Sequence, residues 1–195
     1  MKLPGVLANY PYEETHDLRS GPDLDHSLLS LLPFVGFWRG TGKGGFPAET
    51  EYDFAQEIIL SHDGRPFLHY ESRAWLINDE GRPVRQAFRE IGWWRPAADD
   101  GVEVLLAHPT GVSEVYLGRV DGLKVELASD VVARTETADV VSASRRLYGI
   151  VEGALLYAVD LAANGEPLQP HVSGRLTRVS SPGTASSNGS AAARR

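Results

Sequence analysis

A chain of 195 residues with 42% hydrophobic and 23% charged side chains has the size and make-up of one globular domain. Its net charge of −7 argues against nucleic-acid or anionic-membrane partners, which both need a basic face. Cysteine is absent and Met1 is the sole methionine, which excludes disulfides, thiolate metal sites, iron–sulfur clusters and thioether-linked haem.

The stretch from Met1 to Ser20 lacks an apolar run and a small-residue cleavage site, so the cytoplasm is the expected location. No run approaches the length of a membrane span. Residues 1–23 mix Pro, Gly and acidic residues without a period and read as an arm lying on the surface. Asp25, followed by Ser27-Leu28-Leu29-Ser30-Leu31-Leu32, predicts a short capped helix stopped at Pro33.

After that helix, extended runs alternate with turn signals. They cover 34–46, 50–61, 66–77, 84–94, 102–107, 112–120, 123–134, 140–151, 154–161 and 167–179. Most of the breaks carry a D-G, E-G or N-G pair, such as Asp63-Gly64, Asp121-Gly122, Glu152-Gly153 and Asn164-Gly165. Ten hairpin-linked strands predict an all-β, antiparallel up-and-down barrel, since closure removes the sheet edges; a two-layer sandwich is the rival. The barrel domain spans 24–179, and the Ser/Gly/Ala-rich stretch 180–195 reads as a disordered tail. Ten strands enclose more volume than eight, so an interior ligand cavity is expected.

Gly36-Phe37-Trp38-Arg39-Gly40-Thr41-Gly42 opens the first strand. Trp38 is suited to plug one barrel end, and Gly36, Gly40 and Gly42 permit a sharp bend. No helix follows these glycines, so they are not a phosphate loop. Arg145 and Arg146 are adjacent in a strand, so one of them must face outward. They form either a solvated ion pair or a contact for an acidic ligand group. Trp75, Phe88, Trp93 and Trp94 fit core or rim packing, and Tyr148 is a packing residue or an alternative metal ligand. Six histidines are available: His16, His26, His62, His69, His108 and His171. His171 shares its strand face with Ser173, Arg175 and Thr177, opposite Val172 and Leu176. Alternation alone therefore points His171 outward.

The glycine motif resembles that of the nitrobindin family, relatives in shape of the fatty-acid-binding proteins and lipocalins. Three further stretches carry the same resemblance in order: 61–68 (Ser61-His62-Asp63-Gly64-Arg65-Pro66-Phe67-Leu68), 146–153 (Arg146 to Gly153) and 168–176 (Leu168-Gln169-Pro170-His171 to Leu176). The resemblance implies one non-covalent haem b per chain, with His171 as iron ligand and catalytic residue. Arg145 or Arg146 would meet a propionate. The implied ligands are nitric oxide and peroxynitrite, the latter isomerised to nitrate. Relatives of that family carry Tyr-Pro-Thr where this chain has Phe46-Pro47-Ala48, which leaves Thr50 as the nearby hydroxyl. A haem-free carrier of fatty acids, with Arg175 as partner of the ligand carboxylate, is the alternative. A homodimer is compatible with either.

Overall fold

The computed structural model describes residues 13–45 and 50–179. A 3₁₀ helix, His26–Phe34, comes first, and the Asp25 carboxylate caps it by accepting the Ser27 N–H at 2.9 Å. Its buried residues Leu28, Leu31 and Phe34 recur every three positions, the spacing at which a three-residue turn keeps one face. Pro33 does not stop the helix, contrary to expectation. Its fixed φ suits a 3₁₀ turn, and the ladder closes beyond it when Val35 N–H donates to Leu32 O at 3.2 Å.

Ten strands follow: β1 (Gly36–Gly44), β2 (Tyr52–Ser61), β3 (Leu68–Ile77), β4 (Pro83–Pro96), β5 (Gly101–Ala107), β6 (Val112–Asp121), β7 (Lys124–Arg134), β8 (Val141–Val151), β9 (Ala154–Ala163) and β10 (Gln169–Arg178). Each pairs antiparallel with its neighbour in sequence, and β1 pairs with β10 to close the barrel. The sandwich is thereby excluded. Turn chemistry matches the sequence: Glu152-Gly153 and Asn164-Gly165 have φ of 52° and 76°, and of 54° and 87°, the paired positive values of a tight hairpin.

Alternation sends Phe54, Ile58, Leu60, Leu68, Val104 and Leu155 inward, all fully or almost fully buried. One end of the barrel is plugged. Trp38 is wholly buried, its indole N–H donates to Phe34 O at 2.9 Å, and Phe34 lies 6.0 Å from the Trp94 ring. The segment before the helix runs across the β2–β3 turn at this same end, where Thr15 and His62 exchange backbone hydrogen bonds of 2.8 Å. No helix among the described residues is long and apolar enough to cross a membrane.

Candidate functional site

The opposite end of the barrel is the mouth, where β1 ends and β2 and β10 begin. Four apolar side chains there, Tyr52, Ala87, Phe88 and Val172, pack on the core yet stay partly exposed. His171 sits at the same end and is half-buried.

The pairing of β10 with β9 shifts register at this residue. Pro170 opposes Asp160 and Val172 opposes Val159, so His171 is the extra residue of a β-bulge. In such a bulge two residues face a single partner, and the side chain there is re-aimed. Val159 is 5% exposed and belongs to the inward row, its partner is Val172, and His171 is inserted beside that pair, outside the strict alternation of the strand. Strict alternation holds only from Val172 onward. Leu176 is buried, while Ser173, Arg175 and Thr177 are exposed. The row through the bulge runs Gly44, Val172, Val159, Arg146, Leu127 across five strands. Arg146 thus lies two strands, about 10 Å, from the bulge.

Between mouth and plug the barrel is floored by polar side chains. Arg146 donates to both Glu90 oxygens at 2.8 and 2.9 Å, and through Nε to the Tyr116 hydroxyl at 2.8 Å. Ser144 Oγ bonds the Tyr116 hydroxyl and donates to Glu114 at 2.6 Å. His108 Nε2 lies 3.0 Å from Glu114, and its Nδ1 lies 3.8 Å from Glu90. A second chain of bonds crosses the floor from the Tyr157 hydroxyl to Gln56 Oε1 at 2.6 Å, and from Gln56 Nε2 to Ser72 Oγ at 2.9 Å.

Burial opposes the charge on Glu90, but the Arg146 charge and hydrogen bonds outweigh it and hold this carboxyl below the usual range. Arg146 loses by burial and gains more from Glu90, so it stays a cation. Glu114 also pays for burial. His108, Arg146 and Ser144 together bring it down to about 2. Burial pushes the Tyr70 and Tyr157 phenols well up.

The other sequence-derived residues fall as follows. Arg145 is exposed on the outer wall, opposite Asp160, and Arg146 faces in, so alternation divides the pair as required. Arg146 is held by two carboxylates, and the expected contact with a propionate has no support in this geometry. Thr50 is exposed and precedes β2, while Phe46, Pro47 and Ala48 lie outside the described residues. Tyr148 is 1% exposed and packs between Trp94 and Tyr157. Trp94 faces in and Trp93 is 44% exposed. Arg175 is on the outer face, 3.7 Å from Glu152, so it offers no anchor inside the barrel.

Gly40 and Gly42 serve close approach rather than bending. A Cβ at Gly40 would stand 2.7 Å from Leu176 Cα, and one at Gly42 would press into the Phe54 ring, 2.6 Å from its Cε2 atom. Rings and the Arg146 network occupy the waist of the barrel. A concavity of about 870 Å³ lies instead on the outer face, over Leu147, Leu156, Ala158 and Ser173.

Sequence reasoning missed Glu90, Glu114 and Ser144, and named His108 without giving it a role. A signal was present: Glu90 stands in the parity of Phe88 and Trp94, and Glu114 in that of Val112 and Tyr116. Charges on an apolar face point to a buried network.

A closed ten-stranded antiparallel barrel with partly exposed apolar side chains and a half-buried imidazole at one end has the architecture of a small-ligand-binding barrel. Residues 27–178 match the model of the THAP4-like, heme-binding beta-barrel domain, and the chain belongs to that family. It is 57% identical over 176 residues to a protein of Salinispora tropica named peroxynitrite isomerase, covering 88% of this chain and 90% of that one. It is 46% identical to a ferric nitrobindin-like protein of Saccharopolyspora erythraea, covering 91% and 82%. Among solved structures, Rv2717c from M. tuberculosis matches with a TM-score of 0.72 and 33% identity, over 81% of this chain and all of that one.

The residues at the mouth fit the haem of that family. A flat macrocycle would cover the half-exposed surfaces of Tyr52, Ala87, Phe88 and Val172. The bulge supplies a nitrogen donor, and no thiol competes for iron.

Proposed function

We propose that this protein isomerises peroxynitrite to nitrate, and binds nitric oxide, at a haem b whose iron is held by His171. The observation that supports the assignment is the bulge, which inserts His171 between Pro170 and Val172 and releases it from the strict outward parity of its strand.

The bound haem would supply a ferric Lewis acid able to polarise the peroxo oxygen. This chain's residues do the rest. His171 presents an imidazole nitrogen and is aimed by backbone geometry. Tyr52, Ala87, Phe88 and Val172 keep water from the ligand's apolar face. The Arg146–Glu90 pair stiffens the floor, and because it is internally satisfied it adds no loose charge to the mouth. Thr50 is the described hydroxyl nearest in sequence to Ala48 and is assigned to the rim. The cytoplasm is the setting this reading assumes. The fatty-acid carrier gains no support, because Arg175 faces outward and Arg146 is paired.

Titration with ferric haem, followed by absorption, tests the proposal. The wild type should give a saturable Soret shift at one haem per chain. His171→Ala should lose that shift while keeping its β-sheet circular dichroism. An unchanged Soret band in the variant would overturn the ligand assignment, and no saturable band in the wild type would overturn the haem reading for this chain.

A further inference from the structure

Four oxidisable rings form a continuous file inside the barrel. Tyr157 and Tyr148 are stacked with centroids 5.9 Å apart, Tyr148 meets Trp94 edge-on at 5.0 Å, and Trp94 stacks on Tyr70 at 6.0 Å. All four are buried, Tyr157 the most exposed at 6%. The chain has no cysteine and no methionine beyond Met1, so nothing softer competes for an oxidising equivalent inside the barrel.

The two ends of the file differ. Tyr157 is next to the mouth: it stands two residues inward of Val159, about 7 Å along β9. Its ring covers Gly174 of β10, where a Cβ would come within 2.6 Å of it. Its hydroxyl donates to an amide oxygen, Gln56 Oε1, which does not hold a proton. Tyr70, at the far end, donates to the Glu90 carboxylate at 3.0 Å. A phenol oxidised by one electron is a strong acid, and a carboxylate takes its proton even when held below its usual range.

We propose that this file carries oxidising equivalents from the mouth to Tyr70, sparing His171 and the rim. The inference rests on the haem reading. The oxidant is nitrogen dioxide, the radical left when the O–O bond of peroxynitrous acid breaks and its fragments do not recombine. Nitrogen dioxide gains one electron and leaves as nitrite. That electron comes from Tyr70 by way of Trp94, Tyr148 and Tyr157. The Tyr70 O–H bond breaks, its proton moves to a Glu90 oxygen, and a neutral phenoxyl radical and a neutral carboxylic acid remain. The electron leaves and the proton stays, so Arg146, Glu90 and Glu114 together pass from one net negative charge to none, and Arg146 keeps Glu114 at 3.5 Å as its counter-charge. At 3% exposure, the Tyr70 radical is shielded from a second nitrogen dioxide that would nitrate its ring.

The test is freeze-quench electron paramagnetic resonance of haem-loaded protein mixed with peroxynitrite, with peptide mass spectrometry of 3-nitrotyrosine and loading verified by the Soret band. The wild type should give a tyrosyl signal. Tyr70→Phe should lose it and raise nitration at Tyr157 several-fold. Trp94→Phe should raise nitration at Tyr157 equally with Tyr70 still in place. Trp93→Phe, on the outer face, should match the wild type. A wild type without a protein radical, or a signal unchanged in Tyr70→Phe, overturns the proposal. If the wild type does not load haem, the haem reading fails first. Nitrogen dioxide generated by pulse radiolysis on the haem-free protein then decides the file alone: a tyrosyl transient absent from Tyr70→Phe supports it, and identical transients overturn it.

Discussion

The plug and the floor divide one barrel into regions stabilised in opposite ways. At the plug, Leu28, Leu31, Phe34, Trp38 and Trp94 exclude water with apolar surface, and the few polar atoms bond locally, as the Trp38 indole does with Phe34 O. At the floor, Arg146, Glu90, Glu114, Tyr116 and Ser144 are as thoroughly buried but hold one another by charge and hydrogen bonds. Apolar packing tolerates loss gradually, in proportion to the cavity left. A charged network does not, because removing one member strands the others in a low dielectric. The floor is thus the more brittle region, and it is the one that stands beneath the mouth.

The largest effect should follow Arg146→Ala, which leaves Glu90 and Glu114 buried without their shared cation. A loss of about 3–5 kcal/mol is expected in urea unfolding, the range for breaking a buried pair from one side. Arg146→Met with Glu90→Leu, which removes the pair together, should recover much of that loss. Equal losses in the single and double variants would show that packing rather than charge governs the floor.

Acid sharpens the same contrast. The Glu114 carboxyl falls from an ordinary 4.5 to about 2 on folding, so the folded state binds its proton less readily than the unfolded chain does. Its contribution is complete above pH 4.5 and drains away as the pH falls toward 2, a loss on the order of 3 kcal/mol. Glu90 is shifted in the same direction. Stability measured from pH 6 to pH 2 should decline steeply in the wild type and less steeply in Glu114→Gln. Parallel slopes would remove Glu114 from the acid response.

The strands were legible because most combine alternation with a turn pair such as Glu152-Gly153, and both signals are local. The plug was partly legible: Asp25 and Trp38 could be read, whereas Pro33 misled because a 3₁₀ turn tolerates it. Two features of the proposed site were not legible from local pattern. A bulge adds a single residue and leaves no trace in the sequence, so His171 reads as outward until the register with β9 is known. The floor draws on β4, β6 and β8, and only closure brings Glu90, Glu114 and Arg146 together. The Arg145-Arg146 pair shows the limit well. Alternation requires that one points in, but deciding which needs the barrel.

The smallest effect belongs to the closed end. Asp25→Ala removes the carboxylate that accepts the Ser27 N–H at 2.9 Å and the Ser27 hydroxyl at 2.6 Å. An N-cap of this kind contributes about 1 kcal/mol, and the exposed position lets water replace part of the bond. The helix packs by Leu28, Leu31 and Phe34, which the substitution leaves untouched. Thermal unfolding should therefore shift down by a few degrees, about 2–5 °C for a domain of this size. Haem titration of the same variant should reproduce the wild-type curve, since the floor lies between the cap and the mouth. A weakened haem affinity with so small a loss of stability would mean that the plug is mechanically coupled to the mouth through the ring file, and the two regions would then have to be treated as one.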